Sequence, residues 1–503
     1  MQRRNFLKST SLLTLPLILK SCDWLIDVSN YHIDVQSDMD TGHLLLDNIS
    51  FDQTKVHETE TLIVGGGIAG LSAACRLKGK DFILCELSND LGGTSSANVY
   101  GGMQFAQGAH YDLEYPANYG QEVLHLLEEL KIIQYQSWKD SWGFVDQQHI
   151  ILHRRKNRCF DHGEFREDVL PAGPMKSEFI GLLDQFESKM VLPTRLISDE
   201  LKYLNDISFF EMIRNKMSID QGFELGLDYH MKDDYGAGCK EVSALAGIHY
   251  FKCRPYYKEV VDLFSPPNGN HYFIEKMRNY LMPSDLRTKH MVCQIQKEKN
   301  GWIADVIDVN EKKIIRIKTK HIVYAGQKHA LKYIYPKAYE SFSNNQYAPW
   351  MVVSIITDDK LPTPGYWQNE MLTQDTTFLG FVDSDTQHHD KRNKRVLTGY
   401  YCLPTFSRGD LKNVGKNKEI IARATVEHIS KYFKMDINKH VEKVFIKVMG
   451  HAMPIPYPGY LFDDRNLSRK ENTMSYAGVD NGRLPLLFEA IDSGLSAINT
   501  LSL

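Results

Sequence analysis

The chain has 503 residues, 43% of them hydrophobic and 24% charged, with a formal net charge of -4. That length accommodates two joined domains, each with its own core, in an ordinary globular composition. A balance this close to neutral, with no basic stripe, argues against a nucleic-acid partner. Eight cysteines without one CxxC pair argue against a zinc ribbon or a thioredoxin-like redox pair.

At the start, Arg3-Arg4-Asn5-Phe6-Leu7-Lys8 precedes the apolar run Leu12 to Leu19. That run is shorter than the roughly 20 residues a membrane span needs, and the layout is that of a signal peptide. It resembles a twin-arginine export signal, a route that carries folded proteins. The plain alternative is a basic, apolar N-terminus of no consequence. Leu19-Lys20-Ser21-Cys22 resembles a lipoprotein cleavage box with Cys22 as the lipidated residue, although Lys20 is atypical there and an incidental cysteine is the competing reading. The expectation is a signal over 1–22 and a protein that is periplasmic or anchored to the membrane through Cys22. A polar tether or strap over 23–58 then leads into the fold.

Thr61 to Ser95 carries the strongest pattern. Leu62-Ile63-Val64 reads as a buried parallel strand, Gly65-x-Gly67-x-x-Gly70 as a tight turn, and Leu71 to Lys78 as a helix that Gly79 ends. Phe82 to Cys85 is a second buried strand, closed by Glu86. Gly65 permits the turn, Gly67 lets the backbone approach a pyrophosphate, and Gly70 lets helix and strand pack closely. Ile68 and Ala69 lie between those glycines at the helix start, whose free N–H groups face the phosphates. Glu86, with Leu87 after it, is placed to accept from a ribose hydroxyl pair. The pattern binds a dinucleotide and leaves NAD and FAD open.

Leu91-Gly92-Gly93-Thr94-Ser95 follows the acid, and with it the stretch resembles the two-dinucleotide-binding-domain flavoproteins. The group resembled is that of the flavin-containing amine oxidases, protoporphyrinogen oxidases and phytoene desaturases. The resemblance implies an α/β fold, a Rossmann-like FAD-binding domain with an α+β substrate domain inserted in pieces. In that group the Gly-Gly pair, here Gly92 and Gly93, brings backbone close to the FAD pyrophosphate. An Arg usually follows it; Thr94 stands there, so a positive charge for the phosphates has to come from elsewhere. A Gly-Ala pair further on, matched by Gly108 and Ala109, runs beside the flavin ring. His110 and Tyr111 then look toward the flavin as candidate catalytic residues, the alternative for His110 being a satisfied structural side chain.

The FAD-binding domain is expected over 59–150, with Gln121 to Ile133 as an amphipathic core helix. The cluster His153 to Arg158 reads as a solvated hairpin tip rather than a lipid or acidic-substrate contact. From 151 to 257 the pattern is mainly helical, the first part of the substrate domain, with a helix capped by Asp206 or Ser208. Over 258–340 the chain returns to the FAD-binding domain: a helix from Tyr272 to Leu281, strands at His290 to Lys297, Trp302 to Asp308 and Lys312 to Lys318, then the apolar strand His321 to Gly326. By the same resemblance Val292 contacts the adenine through its backbone, and Ala325-Gly326 lies near the phosphates. Residues 341–440 form the second substrate part, with antiparallel strands at Met351 to Ile356 and Arg395 to Tyr400 and a helix from Asn417 to Phe433. The run Asp383 to Asp390 has metal-ligand residue types on one turn, where they rarely converge on one ion, so no metal is expected.

The last part, 441–503, contains Ser475 to Gly494, which resembles the family's closing motif. Ala477-Gly478 permits close backbone approach, Asp480 is the acid for a ribityl or ribose hydroxyl, and Leu486 and Leu487 begin a helix aimed at the flavin O2. The acid usually follows Gly directly, whereas Val479 intervenes here. No cysteine lies in this motif, so non-covalent FAD is expected. Tyr400, Tyr401, Tyr457 and Tyr460 are candidates for an aromatic pocket lining, Tyr457 also as a catalytic group, each with core packing as its alternative. The family's amine oxidases often use a water-holding Lys, for which Lys360 is the one candidate. The implied reaction is hydride transfer from a C–H bond of a small-molecule substrate to flavin N5, with oxygen or another acceptor completing the cycle. An amine oxidase, a desaturase or protoporphyrinogen-type oxidase with an apolar substrate, and a non-catalytic flavin-binding partner all stay open.

Overall fold

The computed structural model describes residues 31–46, 51–108, 119–151, 157–253, 263–363, 365–388, 392–462 and 473–503. Arg3, Arg4, Cys22, Ala109, His110, Tyr111, His153 to Lys156, His389 and Asp390 lie outside the described residues.

Two sheets organise the rest. The chain enters through strand β1 (His32–Gln36) and a short helix α1 (Met39–His43), then gives β2 (Gln53–Val64), helix α2 (Ile68–Arg76) and β3 (Phe82–Cys85). Strands β2 and β3 pair in parallel, Leu62 opposite Ile83, which is the strand–turn–helix–strand unit the glycine spacing called for. Much later come β6 (Leu286–Arg287), β7 (His290–Glu298), β8 (Gly301–Asp308) and β9 (Lys313–Tyr324). With β15 (Met474–Tyr476) they complete a seven-stranded sheet in the order β6-β3-β2-β9-β8-β7, β15 pairing with β9. The two strands expected at Lys312 to Lys318 and His321 to Gly326 are one continuous strand, because β2 pairs alongside it from Gln53 to Val64.

The second sheet has eight strands. Between β3 and β6 the chain contributes β4 (Asn157–Asp161) and β5 (Glu164–Arg166); later it adds β10 (Tyr347–Asp358), β11 (Gln368–Leu372), β12 (Phe378–Asp383), β13 (Lys394–Cys402) and β14 (Val441–Pro454). Their order is β1-β14-β10-β13-β12-β11-β4-β5. Strand β10 is buried from Tyr347 to Thr357, since both of its faces are covered. Helix α7 (Lys418–Phe433) lies on one face, with Ile421, Ala422, Val426 and Ile429 packed against Val353, Ile355, Leu397 and Ile446. Helices α4 (Phe209–Arg214) and α5 (Gln221–Tyr235) belong to the largest core cluster, α6 (His271–Tyr280) and α8 (Leu487–Thr500) pack on α2, and α3 (Gln121–Glu129) packs on α8. Ser208 rather than Asp206 caps α4, its Oγ accepting from the Glu211 N–H at 3.1 Å.

Three boundaries differ from expectation. Residues 441–454 belong to the eight-stranded sheet, not to the part expected to close the Rossmann-like domain, because the alternating Val444, Ile446 and Val448 pair with β10 on their way to the closing motif. The segment 151–257 opens with sheet strands before its helices. The strap over 23–58 contains β1, which pairs in parallel with β14. Asp383 is buried against Arg395, whose Nε donates to Oδ1 at 2.7 Å, so it serves an ion pair. Cys75 and Cys85 are buried, and burial pushes both thiols up to about 12, as for small core residues.

Candidate active site

The fingerprint folds as a laced pair of loops. The Gly65 N–H donates to Cys85 O at 2.8 Å, and the Gly92 N–H donates to Gly66 O at 3.0 Å, so the two glycine turns are held side by side. At Gly70 a Cβ would stand 1.9 Å from Gly65 O, which is why no larger residue lets α2 start here. Glu86 is buried, Oε2 accepting from the Gly66 N–H at 2.6 Å and Oε1 from the Ser88 N–H at 2.8 Å. Burial raises this carboxyl above the ordinary range, against those donors. Each oxygen keeps a lone pair for a hydroxyl group. Gly65, Gly67, Ile68, Ala69, Glu86, Leu87, Gly92, Gly93, Thr94 and Gly108 all face one cavity, Gly70 packing behind them. Gly108 is small for a further reason: a Cβ there would lie 1.8 Å from Thr94 O.

Two strand ends meet this turn from the other side. Ala325 donates to Val64 O at 2.8 Å and Ala477 to Tyr324 O at 2.9 Å, bringing Ala325-Gly326 next to Gly65 and Ala477-Gly478 alongside β9 on its other side. Sequence reasoning missed the residue that fastens them. Lys328, fully buried, donates through Nζ to Gly326 O (3.1 Å), Ala477 O (2.6 Å) and Asp480 Oδ1 (2.9 Å). Asp480 Oδ2 accepts from the Lys328 N–H (2.8 Å) and from the Tyr347 hydroxyl (3.0 Å). Asp480 therefore lines the cavity while it neutralises a buried lysine, a role its sequence offset gave no sign of. Lys360 is exposed on the turn after β10, away from the cavity.

Past these strand ends the cavity, about 890 Å³ in all, continues to Leu486 and Leu487 at the N-terminus of α8 and to a chamber on the eight-stranded sheet. The chamber is walled by Trp350, Trp367 and Tyr400, all buried, with Tyr250, Met453 and Asp233. Tyr400 points in, and its neighbour Tyr401 points to the opposite face, where its hydroxyl bonds Thr425 Oγ1 at 2.9 Å, as strand alternation requires. Tyr457 and Tyr460 do not reach the chamber: their hydroxyls donate to Asn344 O at 2.9 Å and Val479 O at 2.8 Å. Beyond Pro454 the strand has ended, so Tyr457 and Tyr460 lie outside the cavity, while Tyr400, already a candidate for its lining, faces it together with Trp350 on β10 and Trp367 just before β11, two residues that carried no sequence signal. The run Gly450 to Pro454 lines the cavity. There the His451 and His329 rings stack, centroids 3.6 Å apart; burial lowers His329 to about 4 and His451 to about 3.

The donor set fits a dinucleotide of FAD length: a hydroxyl acceptor at Glu86 beside Val292, two close-approach turns at the α2 N-terminus, and a second helix N-terminus at Leu486. Residues 63–130 match the family model of an NAD(P)-binding Rossmann-like domain. No curated protein sequence matches the chain. Among solved structures, a putrescine oxidase crystallised with putrescine superposes with a TM-score of 0.62 at 14% identity, over 89% of this chain and 100% of that one. A cyclohexylamine oxidase from Brevibacterium oxydans gives 0.60 at 13% identity, covering 88% and 98%. A protein described as a protoporphyrinogen oxidase from Exiguobacterium sp. gives 0.59 at 16%, covering 90% and 99%. These similarities establish the fold, an α/β Rossmann-like domain joined to a second domain built on the eight-stranded sheet.

Proposed function

We propose that this chain is an FAD-dependent oxidoreductase of the amine oxidase type, taking a hydride from a C–H bond next to nitrogen in a small substrate. The observation that carries the reading is the single cavity joining the Glu86 end of the dinucleotide cleft to the chamber of Trp350, Trp367 and Tyr400. Bound FAD supplies the hydride acceptor. The protein holds the donor carbon against it and excludes water, and the aromatic walls favour an uncharged amine over the protonated one, which cannot give up the hydride. Glu86 would hold the ribose, the α2 N-terminus the pyrophosphate, and the α8 N-terminus favours negative charge at its end of the cleft.

In this reading FAD is held without a covalent bond, oxygen or another small acceptor takes the electrons, and the protein reaches the periplasm by the twin-arginine route, with Cys22 as a lipid anchor. Acid precipitation of the purified holoprotein tests the first point by releasing yellow flavin; flavin kept on the denatured chain refutes it. Anaerobic mixing with a panel of amines, amino acids, polyenes and porphyrinogens tests the reaction. Bleaching by an amine is the expected result. Bleaching only by a polyene or porphyrinogen shifts the reading to a desaturase or protoporphyrinogen-type oxidase, and bleaching by dithionite alone to a non-catalytic flavoprotein.

A further inference from the structure

The strap ahead of the fingerprint is tied to both sheets. At one end β1 pairs with β14, and Asp34 accepts from Lys443 Nζ at 2.7 Å. At the other end the chain enters β2, paired with β3 and β9. Between these anchors, α1 and the turn Leu44–Leu46 carry Met39 and three consecutive leucines, yet protein atoms bury none of their residues. Such an apolar stretch, pinned at both ends, ordinarily turns its side chains into a core. Here it turns them to the cleft: Asp38, Met39, Gly42, His43, Leu45 and Leu46 line the same cavity as Glu86 and Val292. Leu45 packs on the cluster that holds Val292, Leu331 and Ile334.

Charge places the strap the same way. Asp38 accepts from Lys447 Nζ at 3.2 Å on the eight-stranded sheet. It also lies near enough to Glu86 to add a small upward push on that carboxyl, after burial, which is the main cause. The start of the strap therefore shares the cavity with Glu86, and Leu45 and Leu46 share it with Val292.

We propose that residues 38–46 are part of the cofactor site: a clasp, fixed to both sheets, that lies over the adenosine half of bound FAD and sets how slowly the cofactor leaves. The clasp rests on the FAD reading of the cleft and is independent of which donor is oxidised. The adenine is the occupant that suits Leu45 and Leu46, since the flat face of the base beside Val292 would cover both.

The test is FAD release from the full-length holoprotein, followed as free-flavin fluorescence after dilution. Leu45→Ser with Leu46→Ser should speed release about tenfold, the equivalent of about 1.4 kcal/mol. Because Leu45 is only half-buried and Leu46 is exposed, the double variant should fold, and its far-ultraviolet spectrum checks that. Hydrogen exchange of the peptide spanning 38–46, on flavin-stripped full-length chain, should slow with ADP and not with riboflavin. Wild-type release by the double variant, or exchange that ADP leaves unchanged, overturns the clasp. A purified chain that binds no FAD removes the cofactor reading and the clasp together; one that binds FAD but is bleached by no amine removes only the amine oxidase reading.

Discussion

The two ends of the cavity are built on different principles. In the dinucleotide cleft the contacts come from backbone: laced glycine turns, two strand ends and two helix N-termini, with Glu86 as the main side chain. In the chamber they come from side chains, Trp350 and Tyr400 on strands whose backbone bonds are already spent on pairing and Trp367 just before β11. A backbone site is sensitive to volume at a few glycines and tolerant elsewhere, whereas a side-chain site can be remodelled residue by residue without disturbing the fold.

The largest effect should come from the cleft's tightest point. Gly70→Val puts carbon where Gly65 O already is, so it should cost upward of about 4 kcal/mol and abolish soluble, flavin-loaded protein, measured as flavin-to-protein absorbance. Next, Lys328→Met leaves Asp480 buried without its cation and should cost about 3–5 kcal/mol in urea unfolding. A much smaller loss would mean that the strand ends hold each other without that lysine.

On the chamber side, Trp350→Ala should leave flavin content unchanged while weakening donor binding about tenfold or more, read from the donor dependence of anaerobic flavin reduction. Tyr457→Phe, outside the chamber, should change that dependence by less than about threefold. Equal effects from both would place the donor elsewhere. The smallest test concerns the seam between the two regions. His329 and His451 are held below the usual histidine value of 6.5, so they take up protons in the unfolded chain before they do in the folded one. Their contribution is complete above pH 6.5 and is lost as pH falls from there toward 3. Unfolding free energy should therefore decline over that interval, and less steeply in the double variant His329→Asn, His451→Asn.

The sequence by itself determined the cofactor end, because the constraints there are local: a Gly-x-Gly-x-x-Gly turn, an acid about twenty residues on, and two strand ends in Ala-Gly have few other uses. The central hairpins and the helix over Lys418–Phe433 were legible for the same reason, their periodicity and turn residues lying next to one another in the chain. What joins distant segments was not legible. That Lys328 buries its charge on Asp480, that Tyr400 and not Tyr457 faces the chamber, that 441–454 belongs to the eight-stranded sheet, and that the strap 38–46 lines the same cavity as Glu86 were decided only by tertiary structure. Each depends on which strand lies beside which and which face of it is covered, and register across segments hundreds of residues apart leaves no trace in local spacing.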